Sequence, residues 1–214
     1  MLYFSYNDFI DCTEKGEINE GIKLEEKIEK YELKNSKQEV HQEKNQIVEV
    51  LKNKIQMKKF LKEFLNLQTI GDAENLTYYN NIDGITEINE KVIYKIENKE
   101  IFIFVKIIDE LDCNISYKMF EDSLKIIQEW NLKEKDKNKR NTIVIPIVIY
   151  MGKETWKNKK INNILNYVTI EKNRIDFSYN IVNISQLNIN ELKNMNCEVA
   201  KKIIKFKYKY LQIN

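Results

Sequence analysis

The chain has 214 residues, 43% apolar and 32% charged, with 35 bases against 33 acids for a net charge of +2. That length suits one domain, or one domain with an arm, with enough chain to bury a core; the longest apolar run, Ile143–Met151, is far short of the roughly 20 residues of a membrane span. One histidine, His41, three distant cysteines and five isolated glycines exclude His-rich metal centres, CxxC zinc or disulfide frameworks and glycine-rich phosphate loops.

Residues 1–37 read as an extension. Leu2, Tyr3, Phe4, Phe9 and Ile10 form an apolar cluster, and Ile18, Ile22, Leu24, Ile28 and Tyr31 predict a short amphipathic helix. Residues 1–39 hold ten acids and six bases, net −4, which leaves +6 for the rest (29 bases, 23 acids). This acidic extension either packs on its own domain or docks a protein partner. It lacks the basic start and long apolar stretch of a secretory signal, so the expected location is the cytoplasm, with no membrane partner.

The apolar spacing of Val40, Ile47, Val50, Leu51, Ile55, Phe60, Leu61, Phe64 and Leu65 predicts one long helix over 39–67, ended by Gly71 and Asp72. Residues 88–109 predict a β-hairpin: Val92, Tyr94 and Ile96 alternate with Lys91, Ile93, Lys95 and Glu97, and Asn98-Lys99 turns the chain into the apolar run Ile101–Ile108. That second run is apolar on both faces apart from Lys106, as in a central strand. A helix follows over 114–134, capped by Asn114 or Ser116, with Tyr117, Phe120, Leu124, Ile127 and Trp130 on its buried face. A charged loop over 133–140 leads to the strand TIVIPIVIY at 142–150, a strand over 177–184, and a helix over 190–208. Helix, hairpin, helix, strand, strand, helix is an α/β order with a mixed sheet.

The run from Lys91 through YKMFE (residues 117–121) to IVIPIVIYMG (143–152) and Trp156 resembles one bacterial family. It is similar to the Rpn-type recombination-promoting nuclease and putative transposase family of the PD-(D/E)XK nuclease superfamily. The opening helix after His41 and the closing FSYNIVNISQLNINELK extend the resemblance over roughly residues 38–210. It implies a restriction-endonuclease-like domain over 38–214, a mixed central sheet flanked by helices behind the N-terminal helical extension, and Mg²⁺-dependent DNA cleavage in recombination or mobile-element movement. In the family an aspartate begins the first hairpin strand and a Glu-x-Gln lies on the second. The carboxylates hold Mg²⁺, which binds the scissile phosphate and lowers the pKa of the attacking water.

This sequence departs from that pattern. A gap-free alignment of the two strands puts Lys91 at the aspartate, Lys106 at the glutamate and Ile108 at the glutamine position. A protonated lysine has no acceptor for a metal and repels it. The two lysines either bind a DNA phosphate as point charges or pair with Glu87, Glu90 or Glu121. Asp109, Glu110 and Glu121 are the acids from which a migrated Mg²⁺ site could be built. The last run, AKKIIKFKYKY, offers Lys201, Lys202, Lys205, Lys207 and Lys209 with interleaved aromatics as a DNA-contacting stripe. Lysine, asparagine and isoleucine dominate the whole chain, as A- and T-rich codons dictate, which lowers the weight of lysine abundance. Cys113 near a helix start has no catalytic partner, and Trp130 and Trp156 read as core anchors. Three readings follow: a catalytically impaired nuclease relative that binds DNA or regulates; an active endonuclease with a migrated carboxylate site; and a protein-interaction module unrelated to DNA. A homodimer is compatible with each.

Overall fold

The computed structural model describes residues 37–71, 76–79, 91–96, 99–111, 114–133, 142–154, 169–171 and 174–211. The extension up to residue 36, Glu87, Glu90, Cys113, the loop over 134–140 and Trp156 lie outside the described residues. The chain divides into two units, 1–42 and 43–214, and of the first the described residues, 37–42, are helical.

The long N-terminal helix predicted from sequence is two helices. Helix α1 covers 37–51 and α2 covers Lys54–Leu65. Asn53 separates them in an extended conformation, its side-chain oxygen accepting hydrogen bonds from Ile55 N at 3.0 Å and Gln56 N at 3.2 Å. A side-chain amide that satisfies the first N–H groups of a helix offers the backbone a better start than continuation. Asn66, left-handed at φ 53°, ends α2, and a single turn, α3 (Gln68–Gly71), follows.

Five strands make the main sheet: β1 (Leu76–Tyr79), β2 (Lys91–Ile96), β3 (Ile101–Ile108), β4 (Ile143–Tyr150) and β7 (Asn180–Asn183), in the order β1-β2-β3-β4-β7. The predicted hairpin is β2–β3, antiparallel with Val92 opposite Val105. β1 adds antiparallel to β2, while β3–β4 and β4–β7 are parallel, so the sheet is mixed. The short strands β5 (Thr169–Glu171) and β6 (Arg174–Asp176) form a separate ladder. The strand expected over 177–184 is confined to β7. Pro146 sits inside β4, where a missing N–H would normally break a ladder. Pairing with β7 begins only at Ile147, and the Asn180 side chain donates to the Pro146 carbonyl at 3.5 Å. The absent donor therefore lies on the side where β7 has not yet started.

Helix α4 (Ile115–Lys133) lies on one face of this sheet. Ile93, Phe102, Phe104, Ile108, Val144, Val148 and Tyr150 pack there with Ile115, Met119 and Ile126 of the helix. Side chains of the other parity point to the opposite face, where the Tyr94 hydroxyl donates to the carbonyl of Lys52 at the end of α1. Trp130 is half-buried among Phe102 and Tyr79, with the Lys95 ammonium 3.8 Å from its ring centre. The closing helix is again two: α5 (Ile189–Asn194) and α6 (Glu198–Tyr210). Asn188 caps α5 through Asn190 N at 2.8 Å, and Gln56 of α2 caps α6 by accepting from Glu198 N at 2.9 Å. A mixed sheet with helices on both faces agrees with the restriction-endonuclease-like core that the family resemblance implies.

Candidate functional site

The β2–β3 register places Lys91 directly opposite Lys106. Both point to the α4 face, and both are buried, at 8% and 6% exposure. Like charges opposite one another destabilise a strand pair, and a buried charge requires a partner. Asp122 of α4, itself 6% exposed, supplies one. Its Oδ2 lies 2.8 Å from Lys91 Nζ and 3.9 Å from Lys106 Nζ. The first is a close ion pair that does not meet hydrogen-bond geometry, the second a longer-range attraction. Ile108, two residues along the same face, belongs to the apolar cluster with Ile115 and Met119.

The three acids from which a migrated site could be assembled are held apart. Asp109 has the opposite parity to Lys106 and Ile108, and its carboxylate pairs at 2.9 Å with Lys44, a buried lysine of α1. Glu110 is exposed. Glu121 faces solvent and pairs with Lys125 one turn along α4 at 3.2 Å. Strand alternation explains the division: Asp109 is directed to the α1 side while α4 covers the other face. Among the described residues, no group of three His, Cys, Asp or Glu side chains is placed to hold a metal ion.

Asp122 is the residue that sequence reasoning overlooked, in favour of its neighbour Glu121. A signal was present. Ile115, Met119, Asp122 and Ile126 fall on one helical stripe, and an acid in an otherwise apolar stripe demands a buried cation.

At the far end of β4 the chain turns through Gly152. A Cβ there would collide with the Tyr150 ring and stand 2.6 Å from the Asp109 carbonyl oxygen, so only glycine lets the ends of β3 and β4 approach so closely.

The stripe on α6 is narrower than its sequence suggests. Lys207 is buried, not surface-exposed, and its ammonium donates to the carbonyls of Ile184 at 2.7 Å and Ser185 at 3.1 Å. Burial lowers its pKa below the ordinary lysine value. Lys202 is half-buried and donates to Gln46 at 2.9 Å. Lys201, Lys205 and Lys209 remain exposed.

No described helix is long and apolar enough to cross a membrane. A family model described as putative transposase, YhgA-like, matches residues 38–210. No match was found among curated proteins or among solved structures.

Proposed function

This chain belongs to the YhgA-like putative transposase family, and from that premise we propose that it is a catalytically impaired member that binds DNA or regulates instead of cutting. The observation that carries this reading is the Lys91–Asp122–Lys106 cluster at the positions where the family resemblance expects metal ligands.

The donor set there does not fit Mg²⁺. A divalent ion of this kind takes oxygen ligands, usually carboxylates and water. Among the described residues the cluster offers a single carboxylate, Asp122, already in contact with an ammonium, and the third expected position is the apolar Ile108. The chemistry of these residues is instead that of a buried ion cluster joining the β2–β3 hairpin to α4. Because Asp122 already pairs its charge with that of the buried Lys91, the geometry favours a structural role for that lysine over direct capture of a DNA phosphate.

The test is a plasmid-nicking assay with folded protein in Mg²⁺ and in Mn²⁺, beside a gel-retardation assay at low salt. The expected result is retardation without nicking in either metal. Nicking that is abolished both by EDTA and by Asp109→Ala/Glu110→Ala would overturn the proposal and establish a migrated carboxylate site.

A further inference from the structure

We propose that the exposed face of α6 is a docking surface for single-stranded DNA, built from Lys201, Lys205 and Lys209 with Tyr208 beside them. This rests on the DNA-binding part of the function proposed above and places the interface on a helix remote in sequence from the Lys91–Asp122–Lys106 cluster.

Residues turn by about 100° each around an α-helix. Positions 201, 205, 208 and 209 therefore share one side of α6, and the buried Val199, Ala200, Ile203, Phe206 and Lys207 share the other. The lysines stand four residues apart, so three ammoniums follow one ridge over about 12 Å. After Glu198 the helix carries no acid.

The lysines already have intramolecular partners. Lys201 pairs with Glu198 at 2.8 Å, Lys205 with Glu43 at 3.3 Å, and the Lys209 ammonium lies 4.8 Å from the centre of the Tyr210 ring. The lysine side chains of the two ion pairs are 69% and 59% exposed. The Lys201–Glu198 pair, open to water on both sides, is weak and yields readily to a phosphate backbone; Glu43 is only 6% exposed, so Lys205 would meet a phosphate while remaining beside it.

Charge complementarity makes a polyanion the occupant. The form of DNA follows from Tyr208, a large aromatic side chain left 52% exposed on the same side as the lysines. In a duplex the base faces are stacked and inaccessible, whereas an unpaired base stacks on an exposed ring. Lysines along the backbone with an aromatic platform beside them are the elements of single-strand recognition. The inward turn of Lys207 is consistent with this division, since it assigns that lysine to holding α6 against the turn at Ile184–Gln186.

The experiment is fluorescence anisotropy with a labelled oligo-dT strand and a blunt duplex of equal length, titrated with the full chain from 50 to 200 mM salt. The wild type is expected to bind the single strand more tightly. Lys201→Gln/Lys205→Gln/Lys209→Gln should reduce the slope of log affinity against log salt by about 2, at roughly 0.7 for each phosphate no longer neutralised. Lys201→Gln/Lys209→Gln, which leaves Glu43 its partner, should reduce it by about 1.4. Tyr208→Ala should weaken single-strand binding by about tenfold and leave the duplex unaffected. Thermal melting of each variant checks that it is folded. A wild type that binds neither DNA overturns this proposal together with DNA binding as a function. DNA binding that survives the triple lysine variant unchanged, yet is abolished in Lys91→Met/Lys106→Met/Asp122→Leu, overturns the α6 surface alone. A duplex bound as tightly as the single strand, with Tyr208→Ala silent, overturns the single-strand assignment.

Discussion

Without its carboxylate, Asp122 would leave Lys91 buried on the α4 face with its charge uncompensated, directly opposite a second lysine. Breaking a buried ion pair by removing one partner costs about 3–5 kcal/mol, whereas replacing the whole set with apolar residues of similar volume is often neutral or stabilising. Asp122→Ala is therefore expected to lower unfolding stability by about 3–5 kcal/mol in urea titration. Lys91→Met/Lys106→Met/Asp122→Leu should match the wild type or exceed it. Equal losses in the two variants would show that the ions add net stability of their own. At this scale the two lysines were legible from the strand alignment, because the hairpin pattern fixes which positions face one another. Their partner was not, because either of two adjacent acids on α4 is compatible with the composition and only the helix phase selects Asp122. Lys207 was misread for a related reason: lysines at 201, 202, 205, 207 and 209 look alike in sequence, but one lies on the buried side of the helix and finds two backbone carbonyls there.

The helices were legible in kind and misjudged in length. Apolar residues continue at helical spacing through Val50, Leu51 and Ile55, so periodicity alone carries no sign of the break at Asn53. The break shows in burial: Leu51 and Met57 are buried, while Ile55 is exposed at the start of the new helix. The expected closing helix likewise divides at Met195–Cys197, where α6 begins without a side-chain cap from Cys197 and takes one from Gln56 instead. A cap donated by a residue 142 positions away leaves no local trace. Gln56→Ala should therefore destabilise the protein by about 1 kcal/mol, and Asn53→Ala, which removes the local cap of α2, by about 0.5–2 kcal/mol. Both are measurable by chemical denaturation. An Asn53→Ala variant as stable as wild type would mean that α1 and α2 merge without strain. β1 escaped the sequence reading because it is only four residues long, LTYY, beside the asparagine-rich stretch at 80–81. It exists because the outer edge of β2 offers unpaired backbone groups and a neighbour for Tyr94, whose ring lies 5.4 Å from that of Tyr78.

For the molecule as a whole, the central strands were the most legible feature: β3 and β4 are continuous apolar runs, as a sheet covered on both faces requires. Buried ionisable groups on both sides of that sheet make stability depend on alkaline pH. Lys207 has a pKa lowered by burial, so the unfolded chain holds that proton more tightly. Its contribution to stability rises as pH climbs through the lowered value toward 10.5, the ordinary lysine value. Tyr94, Tyr150 and Tyr179 have pKa values raised by burial. They bind protons more tightly in the folded state, and their contribution is lost as pH rises above 10.0. Stability of wild type minus Lys207→Met, followed by urea titration across that range, is expected to increase toward pH 10.5. A flat difference would mean that the two carbonyls hold the ammonium charged throughout. The tyrosines are common to both proteins, so their loss cancels in the difference.

The alternation that sends Asp109 to Lys44 and Lys106 to Asp122 also governs which kinds of genetic change can carry an acid from one face of the sheet to the other. Point substitution changes which group occupies a position but leaves the direction of that position untouched. One extra codon between Lys106 and Asp109 would instead carry the aspartate across to the side of Asp122. Gathering Asp109 with Asp122 on one face is therefore the work of an insertion or deletion, a class of change that substitution libraries never sample.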